Sequence, residues 1–100
     1  MNIQQIKATE QFSRWLDGLK DLQGRARIQA RIQRLAAGNP GVHRKLKLGV
    51  SELKIDVGPG YRVYYTQRQN VLIILLCGGD KSSQPADIEL AYQLVNKLEV

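Results

Sequence analysis

Cysteine, histidine, tryptophan and methionine each occur once among the 100 residues. The lone cysteine, Cys77, excludes an internal disulfide and any metal site built on several thiolates. It closes the apolar run Val71–Cys77 and therefore reads as a buried, inert thiol rather than a nucleophile. His43 has no cysteine partner and no HExxH setting, so metal catalysis has no motif behind it, and the residue reads as part of an exposed strand. Long hydrophobic runs are missing too. The longest is far short of the roughly 20 residues that span a bilayer. Met1-Asn2-Ile3-Gln4-Gln5 has neither the basic nor the apolar region of a secretory signal, which points to a cytosolic protein with no membrane partner. P-loop and dinucleotide fingerprints are absent as well, and Gly58-Pro59-Gly60 and Gly78-Gly79 read as turns.

Negative charge is scarce in one half of the chain. Residues 1–50 carry ten Lys/Arg against three Asp/Glu, and residues 51–100 five against six, for a net charge of +6. A lopsided basic surface suits an anionic partner such as nucleic acid, a ribosome or an acidic protein, or it serves solubility alone. The hydrophobic share of 43% and the length fit a single domain over residues 1–100 with one core and no linker or repeat.

Gly49–Lys81 organises the rest. Val50–Val57 alternates, with Leu53, Ile55 and Val57 on one side and Glu52, Lys54 and Asp56 on the other, the period of a half-buried strand. Tyr61–Arg68 sets Tyr61, Val63 and Tyr65 against Arg62, Tyr64, Thr66 and Arg68. Val71–Cys77, apolar throughout, belongs at the centre of a sheet. Upstream, Ile3 and Ile6 suggest a short edge strand, and Thr9 is placed to cap a helix. Phe12, Trp15, Leu16, Leu19 and Leu22 form one helical stripe that breaks near Gly24. A second helix runs from about Arg25 to Ala37, with Ile28, Ile32, Leu35 and Ala36 inward and Arg27, Arg31 and Arg34 on a solvated side. Gly38-Asn39-Pro40-Gly41 stops it. Val42–Leu48 reads as a strand, and Ile88, Ala91, Leu94, Val95 and Leu98 mark the inner face of a terminal helix opened by Pro85. Helices and strands that do not alternate indicate an α+β domain with an antiparallel sheet.

The strands also carry a cationic and aromatic set: Lys45, Lys47, Lys54, Arg62, Tyr64, Arg68 and Lys81. Antiparallel pairing brings Lys54, Arg62 and Tyr64 onto adjacent polar faces. Arginine grips phosphate bidentately, lysine adds a point charge and tyrosine stacks on a base. The same alternation equally describes a solvated sheet face with weak ion pairs, such as Lys54 with Glu52 or Asp56.

GVSELKI, GPGYRVYY, VLIILLCGGDKSSQ and DIELA, together with the two-helix start and the GNPG stop, resemble the RelE/ParE superfamily of bacterial toxins. The resemblance is closest to its HigB-like, phage Gp49-like branch of addiction-module killer proteins. It implies an N-terminal helical hairpin packed on a mainly antiparallel four- to five-stranded sheet, with a C-terminal helix. It also implies a cognate helix-turn-helix antitoxin as partner and no cofactor. The activity implied is metal-independent endoribonuclease cleavage of ribosome-bound mRNA. Relatives of the ParE type act on DNA gyrase instead, and a third possibility is a fold retained only for antitoxin binding. Carried over by position, Lys54 matches a strand lysine that assists proton transfer and Arg62 a phosphate-contacting arginine. Lys81 stands near a further basic position, which completes the catalytic set. Lys45, Lys47, Tyr64 and Arg68 are the implied RNA-binding residues. An ordinary amine has a pKa of about 10.4, so a lysine base requires cationic neighbours. Asp56 stands where RelE-like ribonucleases tend to carry a second basic residue, and Asp80 lies beside the later basic position.

Overall fold

The structure, a computed structural model, describes residues 3–98, so Met1 and Asn2 of the amino-terminal stretch considered above lie outside the described residues. Five strands and three helices follow in the order β1 (Gln5–Ala8), α1 (Glu10–Asp17), α2 (Leu22–Ala36), β2 (His43–Lys45), β3 (Val50–Ile55), β4 (Tyr61–Arg68), β5 (Leu72–Asp80) and α3 (Gln84–Lys97). A single 3-10 turn, Lys81–Ser83, joins β5 to α3. The sheet runs β1-β5-β4-β3-β2, with β1 parallel to β5 and every other pair antiparallel. This is the expected α+β architecture. No helix among the described residues is long and apolar enough to cross a membrane.

The starts of α1 and α2 are set by short polar side chains. Thr9 Oγ1 accepts the Phe12 N–H at 3.1 Å and donates to the Leu76 carbonyl at 2.6 Å, capping α1 and tying it to β5 in one residue. α1 ends at Asp17, earlier than the stripe suggested, because Asp21 starts a new helix by accepting the Gly24 N–H at 3.0 Å. Leu22 therefore opens α2 and is 72% exposed instead of continuing the stripe. Gly24, expected as a break, sits inside the first turn of α2. A Cβ there would lie 2.5 Å from Tyr61 Cε2, so the glycine admits the tyrosine ring.

The sheet has a core on each face. Phe12 of α1 and Ile28, Ile32 and Leu35 of α2 pack on Leu53, Ile55, Val63, Tyr65, Ile73 and Leu75. α1 rests mainly on β5 and β1, and α2 on β3 and β4. On the opposite face α3 covers Val50, Tyr64, Leu76 and Cys77 with Ala91, flanked by Ile88, Leu94, Val95 and Leu98. Each fully buried Val, Leu, Ile or Phe among them contributes about 1.5–3 kcal/mol. Tyr64 pairs with Cys77 and Tyr65 with Leu75, so Leu76 is an extra residue that bulges β5. The bulge lets Leu76 and Cys77, adjacent in sequence, both serve the α3 core.

Several boundaries differ from the sequence expectations. β3 ends at Ile55, where the turn closed by the Val57 N–H on the Ile55 carbonyl begins, and β2 spans only His43–Lys45, because Leu48 takes a positive φ of 59° that turns the chain back into β3. Gly78-Gly79 is not a turn but the last part of β5. A Cβ at Gly78 would sit 2.3 Å from the Trp15 ring, and one at Gly79 would sit 1.9 Å from Asp87 Oδ2. The glycine pair thus lets Trp15 press on one face of the strand and the first turn of α3 on the other.

Candidate functional site

The cationic residues gather at the end of the sheet where β3 turns into β4. Lys54 pairs with Arg62, and Arg62 pairs across to Gly79, so the three form one row over β3, β4 and β5. Side chains in such a row point to the same face. Lys54 is half-buried. Arg62 is more enclosed, its side chain only 7% exposed. Its Nη1 donates to the Tyr61 carbonyl at 2.9 Å and to Asp56 Oδ1 at 3.5 Å, while its Nε is buried without a partner. Lys81 leaves β5 with its methylenes laid over Gly60, where an added Cβ would be 2.8 Å from Lys81 Cε. Gly60 also has a φ of 82°, a left-handed conformation that glycine takes without strain. That turn seats Lys81 beside the Lys54–Arg62 row. Asp80, the acid next to Lys81, is engaged elsewhere: it accepts from Ser82 Oγ at 2.5 Å and Ser82 N–H at 2.8 Å, bonds that hold its carboxyl below the usual carboxylate range.

The next row holds a network that alternation alone did not reveal. Arg44, Glu52, Tyr64 and Cys77 succeed one another across β2, β3, β4 and β5. Glu52, expected on a polar face, is fully buried, because α3 covers that face. Its carboxylate accepts from Arg44 Nε at 2.7 Å and from Gln84 Nε2, at the start of α3, at 2.8 Å. Burial alone would push the Glu52 carboxyl up; the hydrogen bonds from Arg44 and Gln84, with the charge of Arg44, carry it below its ordinary value instead. The Tyr64 hydroxyl is pushed up by burial and by the nearby Glu52 charge, and it finds no geometrically satisfactory hydrogen bond.

Beneath the site, Arg31 acts as a clamp. Its Nη1 donates to the Lys54 carbonyl at 2.7 Å, and its Nη2 to the carbonyls of Pro40 at 2.9 Å and Val42 at 3.0 Å. Burial, then the neighbouring charge of Arg34, lowers its pKa. One guanidinium thus fixes the backbone of Lys54 to α2 and to the chain entering β2. On the same side, Tyr61 Oη donates to Asp21 Oδ2 at 2.8 Å, locking the first residue of β4 to the cap of α2.

Of the seven residues singled out from the sequence, the structure brings Lys54, Arg62 and Lys81 to one corner. The other four do not join them. Tyr64 is completely buried beneath α3 and offers no face to a base, a correction to the reading of it as an RNA contact, which rested on a sheet face that α3 covers. Arg68 lies at the far end of β4, about 20 Å from Arg62 at the usual rise per strand residue. Lys45 pairs with Ser51 and points to the face opposite Arg44, and Lys47 sits in the β2–β3 turn, its N–H donating to Tyr92 Oη at 3.3 Å. His43 is exposed on β2, its Nδ1 2.7 Å from the Gly41 carbonyl. No cluster of three or more His, Cys, Asp or Glu able to hold a metal occurs among the described residues. Arg31, Glu52 and Gln84 were not identified as partners from the sequence. The Asp21-to-Gly24 spacing was a readable cap signal, whereas the Arg31 and Glu52 contacts depend on which helix covers which face.

Residues 14–96 match the family described as phage derived protein Gp49-like (DUF891). An uncharacterized protein of Haemophilus influenzae (strain Rd) is 51% identical over 94 residues, which cover 94% of this chain and 95% of the relative. Among solved structures, a double arginine-to-alanine mutant of the E. coli toxin RelE in the free state superposes with a TM-score of 0.70 at 15% sequence identity, over 95% of this chain and 96% of that one. At that identity the likeness is one of fold, and the sheet and C-terminal helix expected from the resemblance are those found.

Proposed function

Because the chain belongs to the phage-derived Gp49-like family and carries the RelE toxin fold, we propose that it is the toxin of a HigB-like toxin–antitoxin pair and arrests translation by cutting ribosome-bound mRNA. The observation that carries this reading is the corner where Lys54 and Arg62 pair across strands and Lys81 lies over Gly60. Three cations from three separate chain segments converge there, and the acid beside Lys81 is occupied by its own turn.

The chemistry suited to this corner is transesterification by the substrate's own 2′-hydroxyl. A bond forms between the 2′-oxygen and phosphorus while the bond from phosphorus to the 5′-oxygen breaks. Lys54 assists removal of the 2′-hydroxyl proton, Arg62 donates to the non-bridging oxygens as charge builds on them, and Lys81 supplies a proton to the departing 5′-oxygen. A 2′,3′-cyclic phosphate and a 5′-hydroxyl result. A well-placed donor of the Arg62 kind contributes about 2–4 kcal/mol to such a transition state. The basic first half of the chain, including Arg27 and Arg34 on α2, supplies a field that draws in an RNA backbone. The partner that restrains the activity is a cognate helix-turn-helix antitoxin.

The test is induction without antitoxin. Translation is expected to stop first, with cuts in translated mRNA, and Arg62→Ala is expected to lower cleavage about 10²–10³-fold in protein shown by circular dichroism to be folded. Growth arrest that survives Arg62→Ala removes the assigned site. A DNA-damage response with intact mRNA replaces the ribosome with gyrase as the target.

A further inference from the structure

We infer that Asp56 is an internal anion that occupies the donor face of Arg62 and must leave it before an RNA phosphate can bind; this rests on the phosphate-binding reading given above. Arg62 is a guanidinium with five N–H donors, enclosed to 7% side-chain exposure. A cation so placed requires acceptors around it. The described residues give it two, the Tyr61 carbonyl at 2.9 Å and Asp56 Oδ1 at 3.5 Å, and leave Nε with none. The Asp56 contact is at the outer limit of a hydrogen bond, far from the paired geometry that guanidinium and carboxylate reach when they fit. The site is therefore incompletely filled by the group that occupies it.

Asp56 is also free to move aside. Its side chain is 67% exposed and makes no other hydrogen bond among the described residues. It follows directly on β3, in a turn closed by backbone bonds from Val57 N–H to the Ile55 carbonyl and from Gly60 N–H to the Val57 carbonyl, both at 3.0 Å. Neither bond involves the Asp56 side chain, so the carboxylate can rotate into water with the turn intact. Asp80 differs in this respect, since both bonds from Ser82 hold its carboxylate in the cap. The other acids nearby are engaged as well, Asp87 by Ser83 Oγ at 2.5 Å and Glu52 by Arg44 and Gln84, and among the described residues only Asp56 reaches the cation assigned to phosphate. A phosphodiester offers two non-bridging oxygens where the carboxylate offers one distant contact, which suits the vacant donor capacity of Arg62.

The consequence is a site that holds loose RNA weakly and responds to phosphate delivered at high local concentration. The experiment measures binding of the full chain to a short single-stranded RNA whose 2′-hydroxyls are all methylated, by fluorescence anisotropy at low salt. Asp56→Asn is expected to bind about fivefold more tightly, as removal of a solvent-exposed competing charge allows. Glu89→Gln, an equal change of charge at an exposed position on α3, is expected to change binding by less than about twofold. In an Arg62→Gln background the gain from Asp56→Asn is expected to vanish, and the uncharged Arg62→Met serves as a second variant if Arg62→Gln does not fold. An equal gain from Glu89→Gln, or a gain from Asp56→Asn that persists without Arg62, overturns the assignment of Asp56. So does weakened binding in Arg62→Gln with no tightening in Asp56→Asn, which leaves the phosphate site standing. Unchanged binding when Arg62 is replaced removes the phosphate reading itself, and the role of Asp56 with it.

Discussion

Replacing Glu52 with alanine tests how α3 is held to the sheet. The side chain is fully buried and receives one hydrogen bond from each side, from Gln84 Nε2 at 2.8 Å and Arg44 Nε at 2.7 Å. A buried hydrogen bond to a charged group contributes about 1.5–3 kcal/mol, which applies to the Gln84 contact. The Arg44 contact counts for about 1 kcal/mol, because that side chain is 46% exposed and recovers solvation when released. Alanine also leaves a void and deprives Tyr64 Oη of its polar neighbour. We expect a loss of about 3 kcal/mol, or a fall of about 15 °C in melting temperature for a domain this size. Glu52→Gln, which keeps the shape and removes the charge, should lose about half as much. Thermal and urea unfolding followed by circular dichroism give the magnitude. Hydrogen exchange gives the location, with the first turns of α3 opening before the rest. A Glu52→Ala protein that melts within about 3 °C of the parent refutes the assignment of the network as the anchor of α3.

Other outcomes follow from the same geometry. Gly79→Ala drives a Cβ into Asp87 Oδ2 and Ser83 Oγ and should destabilise the fold by about 1–3 kcal/mol, with the change again concentrated in α3 and measurable by hydrogen exchange. Glu52, Asp21 and Asp80 all titrate below their ordinary values of 4.5, 3.8 and 3.8, so the unfolded chain takes up protons first. Their stabilisation is complete above about pH 4.5 and is lost as pH falls through the folded values. Urea unfolding from pH 7 to 3 should show this decline, and Glu52→Gln should flatten it. Arg31→Gln cuts the clamp on three carbonyls and should destabilise the protein by about 2 kcal/mol; Arg31→Lys should not restore it, because an ammonium cannot reproduce the fork. Amide exchange at Lys54, Val42 and their neighbours reports the loosening.

Period and punctuation made much of the fold legible. Leu53 and Ile55 against Glu52 and Lys54 gave β3 its two faces, Ile28, Ile32, Leu35 and Ala36 gave α2 its inner side, and Thr9 announced α1. What alternation did not disclose was that both faces are covered. A strand reading apolar-in and polar-out is ordinarily half-exposed, yet Glu52, Arg62, Tyr64 and Thr66 are all buried. Glu52 and Thr66 satisfy their polar atoms through hydrogen bonds from distant residues or to a turn carbonyl. The split between α1 and α2 was misplaced because Gly24 looked like a breaker, whereas Asp21 three residues earlier was the stronger signal. The Gly78-Gly79 pair was misread for a related cause: small residues mark close approach as well as turns, and only the positions of Trp15 and Asp87 separate the two. The convergence of Lys54 and Arg62 followed from antiparallel register, while that of Lys81 needed the Gly60 turn.

The parallel pairing of β1 with β5 has a bearing on how the chain is made. Gln5 meets Leu72, and the hydroxyl of Thr9 reaches Leu76 across 67 positions of sequence. Of the described strands, the earliest, β1, therefore waits for the latest, β5, before its edge is paired and α1 has its second anchor. The meander β3-β4-β5 needs only short turns, so it can close while the amino-terminal strand is still searching for its place, as expected where loop-closure entropy opposes distant pairings. Closure of this edge of the sheet is thus a late event in folding. The corner that holds Lys54, Arg62 and Lys81 is assembled from the meander and the turn after it, without β1. Its cations can meet before the opposite edge of the sheet is closed.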